Sequence, residues 1–159
     1  MEGDDPLEHR VAAMRTIEHE IGVLMRRVRR VVGERAREVH PDLLPAGYLV
    51  LAQVQEDGRT RASDLGCTLQ LDKGAVSRTV QHLLDLGLLD RTPDPDDGRA
   101  TLLSVSDLGR RRFLAVDDQR RRALDDRFAS WSSDDLRSVS ATLRRYNASF
   151  EPDAGQAPG

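Results

Sequence analysis

The chain has 159 residues and a formal net charge of −3, with 24 Lys and Arg against 27 Asp and Glu; that balance excludes nucleic-acid binding by bulk positive charge. Its length allows one domain, or one domain with an extended dimerisation element, and is too short for two ordinary globular domains. Hydrophobic residues reach 38% but aromatics only 4%, which leaves little for a thick core and suits long helices that share their core with a second subunit.

Residues 1–6 are polar and residues 151–159 are rich in Pro, Gly and Ala, so both ends are expected to be disordered. From Leu7 to about Val39, apolar residues recur at Val11, Met14, Ile17, Ile21, Leu24, Val28 and Val31. Spacings of three and four predict a long amphipathic helix. Its other face carries Arg26, Arg27, Arg29 and Arg30 beside Glu18, Glu20, Glu34 and Glu38; interleaved charges of both signs read as a solvated face rather than a basic stripe. His40-Pro41 closes this helix, because a residue before proline is pushed out of the helical region.

Pro45 suits the first turn of a second helix through Tyr48, Leu49, Leu51 and Val54, stopping at Glu56-Asp57-Gly58. A shorter third helix is expected over Ala62–Leu69 with Leu65 and Leu69 inward, then a turn at Gln70 and Leu71. Asp72 can cap a fourth helix whose buried stripe is Val76, Val80, Leu83 and Leu84. Gly87, followed by Leu88 and Leu89, has the pattern of a left-handed C-terminal cap. Next comes the single β feature expected, a hairpin of Leu88 to Thr92 and Arg99 to Val105 around the loop 93–98. Ser106 caps a fifth helix to about Phe128, through Leu108, Phe113, Val116 and Leu124. Ser132 with Asp135 resembles a capping box opening a last helix with Leu136, Val139, Leu143 and Tyr146.

Helix, short helix, tight turn, longer capped helix and hairpin follow the winged helix-turn-helix plan, in which the longer helix enters the DNA major groove. At about 100° per residue, Gly74, Ser77, Arg78 and Gln81 fall away from the buried stripe. Arg78 can fork onto guanine or phosphate, Gln81 can pair with an adenine edge, Ser77 can donate to either, and Gly74 admits a close backbone. The same residue types also suit any solvated helix face. Lys73, the chain's only lysine, stands at the helix start beside Asp72, where free N–H groups and a cation together favour a phosphate. Arg61 and His82 are further candidate phosphate contacts. In the hairpin, Asp97-Gly98-Arg99 places an arginine at a turn from which it can reach a narrow minor groove; Asp97 can hold it, although Asp-Gly is a common turn in any hairpin.

The stretch Leu71 to Gly109, LDKGAVSRTVQHLLDLGLLDRTPDPDDGRATLLSVSDLG, resembles the DNA-binding lobe of the MarR family. That family's wing pattern, Asp-x-Arg followed by spaced leucines and a Leu-Thr helix start, is present as Asp97-x-Arg99, Leu103, Val105 and Ser106, with Val-Ser in place of Leu-Thr. The resemblance covers nearly all of residues 7–150. It implies a mainly α fold with a small β-hairpin wing: a dimerisation helix over 7–40, a winged lobe over 44–106, and C-terminal helices over 107–150 completing the dimer interface. It further implies a homodimer that binds a pseudo-palindrome in double-stranded DNA as a transcriptional regulator, by the family's commoner mode a repressor. A small aromatic or lipophilic effector is expected near the first, second and fifth helices, with Arg15, His19 and Tyr48 as candidates. For Arg15 and His19 the alternative is a solvated face or dimer contact, and for Tyr48 a core ring.

Cys67, the single cysteine, excludes an intramolecular disulfide. It reads as a small buried helix residue, with an oxidant-sensing thiol as the alternative. The histidines form no i, i+4 pair, so no metal site is expected. No nucleophile with its base, glycine-rich phosphate loop or other cofactor-binding pattern is recognisable, so neither an enzyme nor a cofactor is expected. No apolar run is long enough to span a bilayer, and the acidic N-terminus lacks a signal-peptide pattern, so a cytoplasmic location is expected. A protein-interaction module is the rival to a DNA reader: between Arg59 and Arg99, acidic residues slightly outnumber basic ones.

Overall fold

The computed structural model describes residues 6–97 and 100–150. The expected tails therefore lie outside the described residues, except that Pro6 is the first residue of a helix. In chain order the elements are α1 (Pro6–Val39), α2 (Pro45–Asp57), β1 (Thr60–Arg61), α3 (Ala62–Leu69), α4 (Lys73–Asp85), β2 (Leu89–Pro93), β3 (Thr101–Val105), α5 (Asp107–Phe128) and α6 (Ser133–Ala148). The fold is mainly helical with a small antiparallel sheet. Two units divide the chain within α5, one ending at Asp118 and the other beginning at Gln119.

In the first unit the core is aliphatic. Leu51 of α2, Leu65 of α3, Leu83 of α4, Leu88, and Leu103 of β3 are each less than 2% exposed, with Val39, Val50, Val54 and Val80 around them. Each of these leucines comes from a different element or connection, so the short helices and the sheet are stable only together. Of α1, only the end enters this core, beginning with Val32 and continuing through Ala36 and Val39. The last α1 carbonyl, that of Val39, accepts a hydrogen bond from the Arg112 guanidinium at 3.3 Å; a cation there satisfies an orphan acceptor at the negative end of the helix dipole.

β1 adds a strand that the pattern of residues did not foretell. The strand order is β1-β3-β2, with Thr60 opposite Leu103 and Arg61 opposite Leu102, and Leu89 through Pro93 opposite Val105 through Thr101. Gly58 makes the turn into β1, with φ of 80° and its N–H bonded to the Val54 carbonyl. Leu103 and Val105 face the core, whereas Thr101, on the same face near the loop, is exposed.

Helix ends are set by local chemistry. Asp72 accepts a hydrogen bond from the Ala75 N–H at 2.8 Å and starts α4. Gly87, at φ of +67°, ends it: its N–H bonds to the Leu84 carbonyl, and that of Leu88 to Leu83. Ser106 ties the next step together, its hydroxyl donating to the Gly87 carbonyl at 2.6 Å while accepting from the Gly109 N–H at 2.9 Å. A Cβ on Gly109 would collide with the Leu88 carbonyl, so the first turn of α5 lies directly on that backbone.

In the second unit, Ser132 and Asp135 form the expected capping box, which holds the Asp135 carboxyl below its usual range through hydrogen bonds from Ser132. Phe128 meets Trp131 edge to face at 5.2 Å, and Tyr146 meets Phe150 likewise at 5.0 Å. No residue of α6 is buried.

Candidate nucleic-acid interface

Lys73, Gly74, Ser77, Arg78 and Gln81 are all exposed, while Val76, Val80 and Leu83 of the same helix are buried. α4 thus presents one polar face and anchors the other, because three- and four-residue spacings return the apolar side chains to one stripe. Gln81 donates to Asp85 at 2.8 Å along the helix surface. A Cβ at position 74 would lie 3.3 Å from the Arg78 guanidinium and 3.1 Å from the Asp72 carboxylate, so Arg78 reaches back toward the helix N-terminus. Its guanidinium, the Lys73 ammonium and the free N–H groups of the first turn are positive features on one end of the helix.

Beside this end lies a cavity of about 580 Å³ lined by Ser63, Cys67, Leu71, Lys73, Ser77 and Arg91 among others. Arg91 stands on β2 and is exposed. Nothing in its local spacing singles it out, since only the pairing of β2 with β3 carries it to the N-terminal end of α4. Cys67 is exposed, which corrects the expectation of a buried residue: two positions after the core residue Leu65, it lies about 200° around the helix.

The wing is fastened at its base. Asp94, 6% exposed, accepts from Arg61 Nε at 2.8 Å and lies 2.5 Å from a second guanidinium nitrogen. Its other oxygen accepts from the Asp96 N–H at 3.0 Å. That backbone bond, followed by the Arg61 contact, holds the Asp94 carboxyl below the usual carboxylate range; Arg61 is held above its usual value by the same aspartate. Backbone bonds from Asp94 to Ala100 and from Ala100 to Asp97 close the loop. Asp97 is placed in this loop, but Arg99 lies outside the described residues.

Two candidate phosphate contacts have partners elsewhere in the chain. Arg61 is forked onto Asp94, 33 residues away, and a guanidinium so engaged is a strut of the wing rather than a free cation. The His82 ring nitrogen Nε2 lies 2.9 Å from the Asp42 carbonyl, 40 residues away, and ties α4 to the α1–α2 turn. Nor does the chain bring the candidate effector residues together. Arg15 and His19 are exposed on α1, His19 roughly 20 Å along the axis from Val32 at 1.5 Å per residue, while Tyr48 is 5% exposed and stacks on Phe113 at 5.7 Å.

Among the described residues no cluster of His, Cys, Asp and Glu is placed to hold a metal ion, and no helix is long and apolar enough to cross a membrane.

Comparison with known proteins agrees with this geometry. Residues 42–100 match the model of the MarR family. Over 150 residues the chain is 27% identical to the HTH-type transcriptional regulator YxaD of Bacillus subtilis, covering 94% of this chain and 99% of that one. The crystal structure of a MarR family transcription regulator superposes with a TM-score of 0.79 at 19% identity, over 94% of this chain and all (100%) of the other. A mutant MarR from E. coli complexed with operator DNA gives a TM-score of 0.65 at 19% identity, over 90% and 99% of the two chains. With the α4 face and the fastened wing in place, the chain has the winged helix-turn-helix fold of these structures, and its residues 42–100 match the MarR family.

Proposed function

We propose that the protein is a homodimeric, sequence-specific reader of double-stranded DNA that regulates transcription, acting as a repressor. The exposed polar face of α4 carries this reading: Ser77, Arg78 and Gln81 supply base-edge hydrogen bonds, and Lys73, Gly74 and Asp72 set the helix N-terminus against the backbone. The wing, through Asp97 and Arg99, reaches the flanking minor groove. The E. coli MarR complexed with operator DNA has the same fold, and the curated relatives are HTH-type transcriptional regulators, not enzymes.

A second copy is needed to cover apolar surface. On α1, Met14, Ile17, Leu24, Met25 and Val28 are each about half exposed, and on α6 so are Leu136, Val139 and Leu143. Amphipathic helices with an uncovered apolar stripe call for a partner, and two identical lobes match the two half-sites of a palindrome. A small aromatic or lipophilic effector near Arg15, His19 and Tyr48 would need the second copy to complete its pocket. Exposed Cys67, on the cavity shared with Lys73 and Ser77, makes thiol oxidation a second route to altered DNA binding.

Fluorescence polarisation against the DNA upstream of the protein's own gene, at several salt concentrations, tests the DNA reading. Affinity should fall steeply with salt, and Arg78→Ala should cost about 1–3 kcal/mol while relaxing sequence preference. Equal binding to operator and scrambled duplex would refute it.

A further inference from the structure

At the end of the sheet remote from the wing lies a second cavity, of about 280 Å³, lined by Val54, Gln55, Gly58, Arg59, Ser104, Val105 and Arg110. The antiparallel register of Thr60 with Leu103 and Arg61 with Leu102 runs Arg59 toward Ser104 and Val105, away from the hairpin loop. The cavity is therefore on the opposite end of β3 from the DNA-reading wing, and a ligand there would bind whether or not the protein reads DNA.

Three features of the lining point to a ligand. Arg59 and Arg110 are exposed guanidiniums, and neither side chain has an acidic partner among the described residues. Asp57, close to Arg59 in the chain, instead accepts from Gln53 at 2.9 Å. The side-chain oxygen of Gln55 is buried and has no hydrogen-bond partner, so it bears its desolvation penalty uncompensated. Val54 and Val105 supply an apolar wall.

We propose that this cavity binds a small 2-hydroxycarboxylic acid with a short branched aliphatic tail. Its carboxylate lies on Arg59 and Arg110, a charge-assisted contact suited to guanidinium forks. The hydroxyl donates to Gln55 Oε1, which a rotation of that flexible side chain turns into the cavity, and the tail packs on Val54 and Val105. A 2-amino acid fits less well, because its ammonium would meet two arginines and the lining contains no carboxylate. A phosphodiester would satisfy the arginines but has no donor for Gln55.

The test is an NMR titration of the full-length ¹⁵N-labelled protein at constant ionic strength, with 2-hydroxy-3-methylbutanoate and, separately, 3-methylbutanoate, which lacks the hydroxyl. Saturable shifts of the Gln55, Gly58 and Ser104 amides are expected, with the hydroxy acid bound about fivefold tighter. Arg59→Gln and Arg110→Gln, both at exposed positions, should each weaken both acids about tenfold, and Gln55→Leu should abolish the preference for the hydroxyl. The proposal is overturned if neither acid gives saturable shifts, if the two bind equally, or if both arginine variants bind as the parent does. Should Gln55→Leu not fold, the comparison of the two acids on the parent protein still decides.

Discussion

The winged lobe and α6 solve opposite problems with similar composition. In the lobe, Leu51, Leu65, Leu83, Leu88 and Leu103 come from separate parts of the chain and are almost wholly buried by one another. α6 has an equally regular stripe in Leu136, Val139 and Leu143, a capping box, and no buried residue at all. Periodicity therefore reports that a face is meant to be covered; whether the same chain covers it depends on what lies close enough to do so. The lobe closes its core within one chain, whereas α6 and the first half of α1 leave theirs exposed, the faces proposed to pair with a second copy.

The largest effect should separate the two regions outright. Leu51→Ala leaves a cavity in a closed core and should cost about 2–5 kcal/mol in urea unfolding, at any protein concentration. Leu143→Ala should act through association, so that its cost grows on dilution and sedimentation shifts toward monomer. If Leu143→Ala proved independent of concentration, the contrast between the regions would fail. Smaller, and confined to α6, is the loss of its cap: Ser132→Ala should cost about 1 kcal/mol, read as faster amide exchange in the first turn of α6 with the lobe unchanged.

Within the lobe, Arg61 distinguishes strut from phosphate contact. Arg61→Gln should weaken DNA binding without altering its salt slope, whereas loss of a phosphate contact would reduce that slope by about one. The smallest effect is acid dependence. The Asp94 carboxyl is lowered in the fold, first by the Asp96 N–H and then by Arg61, so its contribution is present at neutral pH. It should be lost as pH falls from the ordinary carboxylate value of about 3.9 through the lower folded value. Asp94→Asn should remove that part of the acid unfolding profile; an unchanged profile would show that Asp94 carries no linkage.

How much of this was legible in the sequence depends on the range of each interaction. Asp72, Ser106, and Ser132 with Asp135 announce helix starts because a cap acts within three residues, and the stripes of α4 and α6 repeat within one or two turns. β1 was not legible: two residues show no alternation, and Thr60–Arg61 becomes a strand only by pairing with β3. Arg61 and His82 looked like free cations because their partners, Asp94 and Asp42, are 33 and 40 residues away. The buried Gln55 oxygen gave no sign at all, since burial of one atom is a property of packing. Cys67 is different. Its position about 200° around the helix from buried Leu65 follows from helix geometry alone and puts it on the exposed side.

One contact in the lobe couples the start of α5 to the end of α4. Where α5 begins, Gly109 lies on the Leu88 carbonyl with no side chain between them, and the Ser106 hydroxyl clasps Gly87 from the other side. A tilt of the first turn of α5 would therefore move the stop of α4 with it, and so the exposed face of α4 that carries Arg78.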